Sequence, residues 1–157
     1  MLEGNWDQIA QSGLLRLPSS AGFWWDTRAR VLILAAQDSQ GQQRRKLLRT
    51  AGQVLERLER IDAPSGPAHA AHIRGALHAL RGEWPRAVAE MESCARLFEQ
   101  CDMKIYAACA RRRLGEWNGG ERGSEWIAAA DRFLESEKIP DPRAAARMHI
   151  ADVRAPA

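Results

Sequence analysis

The chain has 157 residues and a mass of 17.5 kDa, with 45% apolar and 27% charged residues. At about 150 residues per domain this is one domain or one compact piece of a larger protein, long enough to bury a core without disulfides or metals. The longest apolar run, Val31 to Ala36, is far short of the roughly 20 residues of a membrane span; the N-terminus lacks the basic flank and apolar run of a signal peptide, and a net charge of +3 is small for a nucleic-acid binder.

Ala, Leu, Arg, Glu and Gln dominate, and no stretch sustains strand alternation, so the reading is helical throughout. A short helix is expected over 5–12, followed by a loop through Gly13, Pro18, Ser19, Ser20 and Gly22. A second helix covers 23–37, with Trp24, Arg28, Val31, Leu32 and Ala35 on one face, and Asp38 or Ser39 is the expected N-cap of the next. A long helix over 40–61 places Leu47, Leu48, Ala51, Leu55, Leu58 and Ile61 at heptad-like spacing. Pro64-Ser65-Gly66-Pro67 is the clearest loop, because two prolines cannot sit inside one helix. Helices follow over 67–81, 84–100, 103–117 and 122–136, broken at Gly82 and at Asn118-Gly119-Gly120. After Ile139-Pro140-Asp141-Pro142 the Ala-rich tail to Ala157 is expected to be a short helix or frayed.

Self-similarity is the most informative feature. Leu2-Glu3-Gly4-Asn5-Trp6 matches Leu80-Arg81-Gly82-Glu83-Trp84 at an offset of 78 residues, and Leu114-Gly115-Glu116-Trp117 is a weaker third echo. The physical logic is a helix hairpin: Gly permits the turn, the aromatic two residues on plugs the crevice, and a small residue further on, Ala87, lets the backbones approach. The Gly4-x-Trp6 turn would follow a helix lying before Met1. The N-terminal face is therefore expected to dock another chain, a missing N-terminal portion or a second copy, unless residues 1–20 form a degenerate cap.

Gly75, Gly82, Trp84, Ala87, Met91 and Cys94 stand in the order of the tetratricopeptide-repeat motif, and the stretch from Ala68 to Cys101 resembles one unit of that family. It departs in having Ala71 where Trp is common and Cys101-Asp102 where Pro usually closes the unit. The stretch from Phe98 through Met103, Tyr106, Ala110-Arg111-Arg112-Arg113-Leu114-Gly115 and Gly119-Gly120 to Asp141-Pro142 resembles the C-terminal end of large bacterial signalling proteins. Those join a serine/threonine kinase-like or signalling-ATPase region to a helical-repeat tail. No Gly-rich phosphate loop or other kinase or ATPase motif is present, so the resemblance implies scaffold without catalyst.

The resemblance implies an all-α, right-handed α-solenoid of three to four antiparallel helix hairpins forming one domain, 1–157. Its parts are a capping half-repeat at 1–20, hairpins at 21–64 and 102–138, the clearest repeat at 65–101 and a tail at 139–157. The groove lined by the first helix of each hairpin would carry His69, His72, Tyr106, Arg112 and Arg113, and one of Trp24 and Trp25 would reach a groove or interface, since both cannot face inward.

The chemistry expected of the remaining residues is bland. Cys94, Cys101 and Cys109 are an odd number without a CxxC pair, which fits free thiols in a reducing, cytoplasmic setting. His69 and His72 sit i,i+3 without further ligands in register, so no metal or cofactor is expected. No nucleophile elbow or activated Cys appears, and an enzyme is not expected. The function read from the sequence is a non-catalytic protein-interaction or scaffold module of a bacterial signalling system or assembly. The alternative is a nucleic-acid-binding regulatory module using the basic clusters at 44–49 and 111–113.

Overall fold

A computed structural model describes residues 2–155. Among them the regular structure is entirely helical: α1 (Leu2–Gln11), a 3₁₀ turn (Leu14–Arg16), α2 (Pro18–Gln37), α3 (Gly41–Leu58), α4 (Gly66–Leu80), α5 (Trp84–Gln100), α6 (Lys104–Asn118), α7 (Gly120–Ser136) and α8 (Pro142–His149). Prolines stand in the first turn of α2, α4, α5 and α8, where the missing N–H costs nothing. Asp141 caps α8 by accepting the Ala144 N–H at 2.8 Å.

The ends of α4, α5 and α7 repeat one device. A residue in the left-handed region follows each helix, Gly82 (φ 77°), Asp102 (φ 59°) and Lys138 (φ 62°). The next N–H then reaches back over the last turn: Glu83 to His78, Met103 to Phe98 and Ile139 to Leu134, at 2.9–3.0 Å. These turns send each helix back along its predecessor. α2 packs on α3, α4 on α5 and α6 on α7, while α2 meets α4, α5 meets α6, and α8 lies on α6.

The core has two parts. One is built around Met91, Cys94, Phe98, Leu114 and Leu134, the other around Ile33, Val54, Leu58, Ile73 and Leu77. α4 is buried along most of its length. Gly75 is buried at the α4–α5 crossing, where a β-carbon would stand 3.2 Å from the Ala87 carbonyl oxygen. The α6–α7 crossing is closer still: a β-carbon on Gly115 would lie 2.6 Å from the Gly123 carbonyl oxygen and 2.7 Å from Ile127. Mid-helix Gly→Ala ordinarily stabilises by up to about 1 kcal/mol. Here Gly115→Ala is expected to cost about 1–3 kcal/mol instead, because the obstacle is backbone, and urea unfolding reads the sign directly.

Several expectations need correction. Gly4 and Trp6 lie inside α1, not in a hairpin turn, and Trp6 is buried against Trp25 with ring centroids 4.9 Å apart. The third echo is likewise helical, since Gly115 is a packing residue within α6. α2 starts at Pro18, so Ser20 and Gly22 belong to it and not to a loop. Its buried face runs through Ala21, Asp26, Ala29, Leu32, Ile33 and Ala36, while Ala35 is exposed; the helix is apolar on several sides, so composition alone chose the wrong stripe. Asp38 ends α2, and α3 is preceded by Gln40 without a side-chain cap. The largest departure is at the C-terminus: beyond α8 the chain is neither helical nor loose, but extended and buried.

Candidate interaction site

The site begins with an acid where none is expected. Asp26 is the one carboxylate in α2 and is 1% exposed. Its Oδ1 lies 2.7 Å from His72 Nδ1 and 3.4 Å from His69 Nδ1, and its Oδ2 accepts from Arg30 Nε at 2.9 Å. The i,i+3 spacing of His69 and His72 on α4 turns both rings toward this carboxylate. His69 also meets Phe98 and Tyr106 edge-on, at 5.0 and 6.0 Å.

His72 Nε2 then accepts the backbone N–H of Ala151 at 2.9 Å, 79 residues further along the chain. A backbone amide can only donate, so Nε2 is unprotonated and the ring proton sits on Nδ1, pointed at Asp26. The order Asp26–His72–Ala151 is a fixed relay of acceptors and donors, wholly buried.

Ala151 belongs to the stretch 148–154, which leaves the last turn of α8 at His149, turns to extended backbone at Ile150 (φ −121°, ψ 136°) and lies across α2, α4 and α6. Its main chain is read by side chains of three different helices. Gln37 of α2 takes it twice, its Oε1 accepting from Arg154 N at 2.9 Å and its Nε2 donating to Asp152 O at 3.4 Å. Trp117 Nε1 of α6 donates to Val153 O at 3.0 Å, and Arg30 donates to Met148 O. The side chains of Ile150, Ala151 and Val153 are at most 2% exposed, and they join the two halves of the core. The Asp152 carboxylate pairs with Arg113 Nη1 at 2.6 Å and with Arg147 Nε at 3.1 Å.

His69 and His72 meet at Asp26, and His72 and Arg113 each contact the stretch 148–154. Tyr106 stands at the edge of that stretch, its ring tilted 50° against that of His149 with centroids 4.4 Å apart. Arg112 is directed elsewhere: it is 8% exposed and bridges Glu116 and Asp131 between α6 and α7. Trp24 precedes Asp26 by two residues, roughly 200° round the helix, and its recorded ring contact is with Phe23, so it stands off this face. Trp25 instead packs beside Trp6 and Arg57. Asp26, Gln37, Trp117 and the tail itself escaped sequence reading. Two signals were available: a lone acid in an apolar helix, and β-branched Ile150 and Val153 after an Ala-rich stretch.

The basic clusters are consumed by structure in part: Arg45, Lys46 and Arg49 are exposed, whereas Arg44, Arg112 and Arg113 are engaged within the fold. Arg44 donates to the Leu80 carbonyl at 2.7 Å and to that of Ala36 at 3.4 Å, at the ends of α4 and α2. Of Arg111–Arg113 only Arg111 is exposed, and it pairs with Glu99.

Burial raises Cys94 well above the ordinary thiol range and pushes Cys109 up to about 12, while Cys101 donates to the Pro64 carbonyl at 3.0 Å.

Burial opposes ionisation of both members of the Asp26–His72 pair. For Asp26 the neighbouring histidines overcome it and hold the carboxyl well below the usual range; for His72 burial wins, and the ring stays neutral despite Asp26. Both shifts act with the same sign. The unfolded chain takes up protons on His72 below about pH 6.5 and on Asp26 below about pH 4, whereas the folded chain resists both. Stability should be level between about pH 7.5 and 8, decline from about pH 6.5 and fall further toward pH 3, and decline again above about pH 8.5, where Cys94 and Cys109 ionise in the unfolded chain but not in the folded one. Urea unfolding at pH 7.5 and 5.5 checks this. His72→Gln should shrink the difference without abolishing it, because burial holds His149 down as well.

No helix among the described residues is long and apolar enough to cross a membrane. No protein-family model, no curated protein and no solved structure matches this chain.

Proposed function

We propose that this chain is a non-catalytic protein-interaction module, its three helix pairs stacked as a right-handed, tetratricopeptide-like solenoid whose α2–α4–α6 face holds an extended polypeptide. One observation carries the reading: side chains from α2, α4 and α6 hydrogen-bond the main chain of residues 148–154. Main-chain recognition is indifferent to most of a segment's sequence, which suits a surface that receives segments of other proteins. A role in a signalling assembly agrees with this reading. The nucleic-acid alternative loses its 111–113 cluster, because Arg112 and Arg113 already serve carboxylates within the fold, and keeps only the exposed Arg45, Lys46 and Arg49 of α3.

Selection of random peptides on the full chain, followed by photo-crosslinking, tests the proposal. Selected peptides should crosslink to α2, α4 and α6. Recovery of none, or crosslinks confined to the crevice of about 540 Å³ between α5, α6 and α7, would overturn it.

A further inference from the structure

We infer that residues 148–154 are a built-in competitor, and that the α2–α4–α6 face exchanges them for an extended acidic segment of a partner protein, whose carboxylate takes the place of Asp152 against Arg113. This rests on the interaction reading above and names the partner's chemistry.

The face is a built site with unused capacity. Arg113 is 4% exposed, yet its Nε and Nη2 are buried without a hydrogen-bond partner. Both carboxylates that touch it, Glu116 and Asp152, share the single nitrogen Nη1. A guanidinium binds a carboxylate best as a fork, two parallel N–H bonds to two oxygens. The tail does not supply that geometry, because Asp152 turns its second oxygen to Arg147 of its own segment. An incoming Asp or Glu that turns both oxygens to Arg113 would satisfy the idle donors and gain what the tail forgoes.

The other contacts define the rest of the partner. Gln37, His72 and Trp117 read only main chain, so any extended segment meets them. The positions of Ile150 and Val153 require apolar side chains, and that of Ala151 a small one. The last contacts of the tail are the most exposed: the Arg154 N–H reaches Gln37 Oε1 at 2.9 Å at the surface, not in the core as the Ala151 N–H does. Gln37 Nε2 reaches Asp152 O at 3.4 Å, and Arg154 pairs with Asp38 at 3.3 Å with both side chains exposed. Exchange would begin at this end and proceed toward Ile150.

The test uses the full chain and a fluorescein-labelled peptide of residues 147–155 as probe. Ala151→Pro deletes the N–H that His72 accepts while keeping the segment extended, since Ile150 already has the backbone a residue before proline prefers. Far-UV circular dichroism confirms that the helices persist. The probe should bind Ala151→Pro about tenfold or more tighter than the unaltered chain, whose own tail competes. Asn in place of the probe's Asp should weaken binding about tenfold, and Arg113→Gln in the Ala151→Pro chain should erase that difference. Asp and Asn probes binding alike would overturn the acidic-partner inference and leave the interaction reading standing. A folded Ala151→Pro chain that binds neither probe would overturn both.

Discussion

Asp26→Ala is expected to lower the unfolding free energy by about 3–5 kcal/mol, the cost of stripping one partner from a buried charged cluster. Three groups depend on that carboxylate: the His72 ring proton at 2.7 Å, the Arg30 guanidinium at 2.9 Å and His69 at 3.4 Å. Without it, Arg30 keeps its bonds to Thr27 and Met148, but His72 loses the acceptor that fixes its tautomer. The ring is then free to place its proton on Nε2, where it meets the Ala151 N–H head-on. The loss should therefore spread to the tail, and native-state hydrogen exchange should show the amides of Ala151 and Arg154 losing protection. In urea unfolding, Asp26→Ala combined with His72→Ala should fall short of the summed single losses by about 1–3 kcal/mol. Strict additivity would show that the two act independently.

Phe98→Ala should cost a similar amount, about 3–5 kcal/mol, by a different route. Phe98 is fully buried, near the end of α5, and its ring lies 5.0 Å from both His69 and Tyr106. Removing it leaves a void that neither neighbour can fill without giving up its contacts, with Asp26 for His69 and with His149 for Tyr106. Phe98→Leu keeps most of the volume and should lose no more than about 1.5 kcal/mol. Urea unfolding read by tryptophan fluorescence distinguishes these, and an unchanged dependence on denaturant would show that the helices remain one cooperative unit.

The all-helical class and most helix limits were legible because helices announce themselves locally. Pro67, Gly82, Pro85 and Asn118-Gly119-Gly120 each break or begin a helix by their own backbone chemistry. α5 and α7 each carry one apolar stripe, and the buried residues Ala87, Met91, Ala95 and Phe98 in α5 and Ala130 and Leu134 in α7 lie on it. α2 does not: it is apolar nearly all round, so only its neighbours decide which side faces in. The Gly-x-Trp echoes misled because a glycine can serve either a turn or a close crossing. Gly82 does the first and Gly115 the second, and the local sequence Leu-x-Gly or Leu-Gly before Glu and Trp scarcely differs. Of the site, helical register puts only His69 and His72 on a shared face; Arg113 entered through the repeat resemblance, and Gln37, Trp117 and the tail meet through contacts spanning 36 to 117 residues, which no periodicity encodes. Arg112 and Arg113 differ by one position, and a single step of helix rotation sends one toward α7 and the other toward the tail.

The strap at 148–154 also sets an order of events during synthesis. Its partners on α2, α4 and α6 leave the ribosome well before it does, and the helix pairs, being local, form within microseconds of emerging. For the seconds until residue 154 is free, at roughly 5–20 residues per second, a nascent chain presents Gln37, His72 and Trp117 with nothing across them. Under the exchange proposed above, a partner segment meeting the chain in that interval would have no competitor, and occupancy of this face would follow timing as well as affinity.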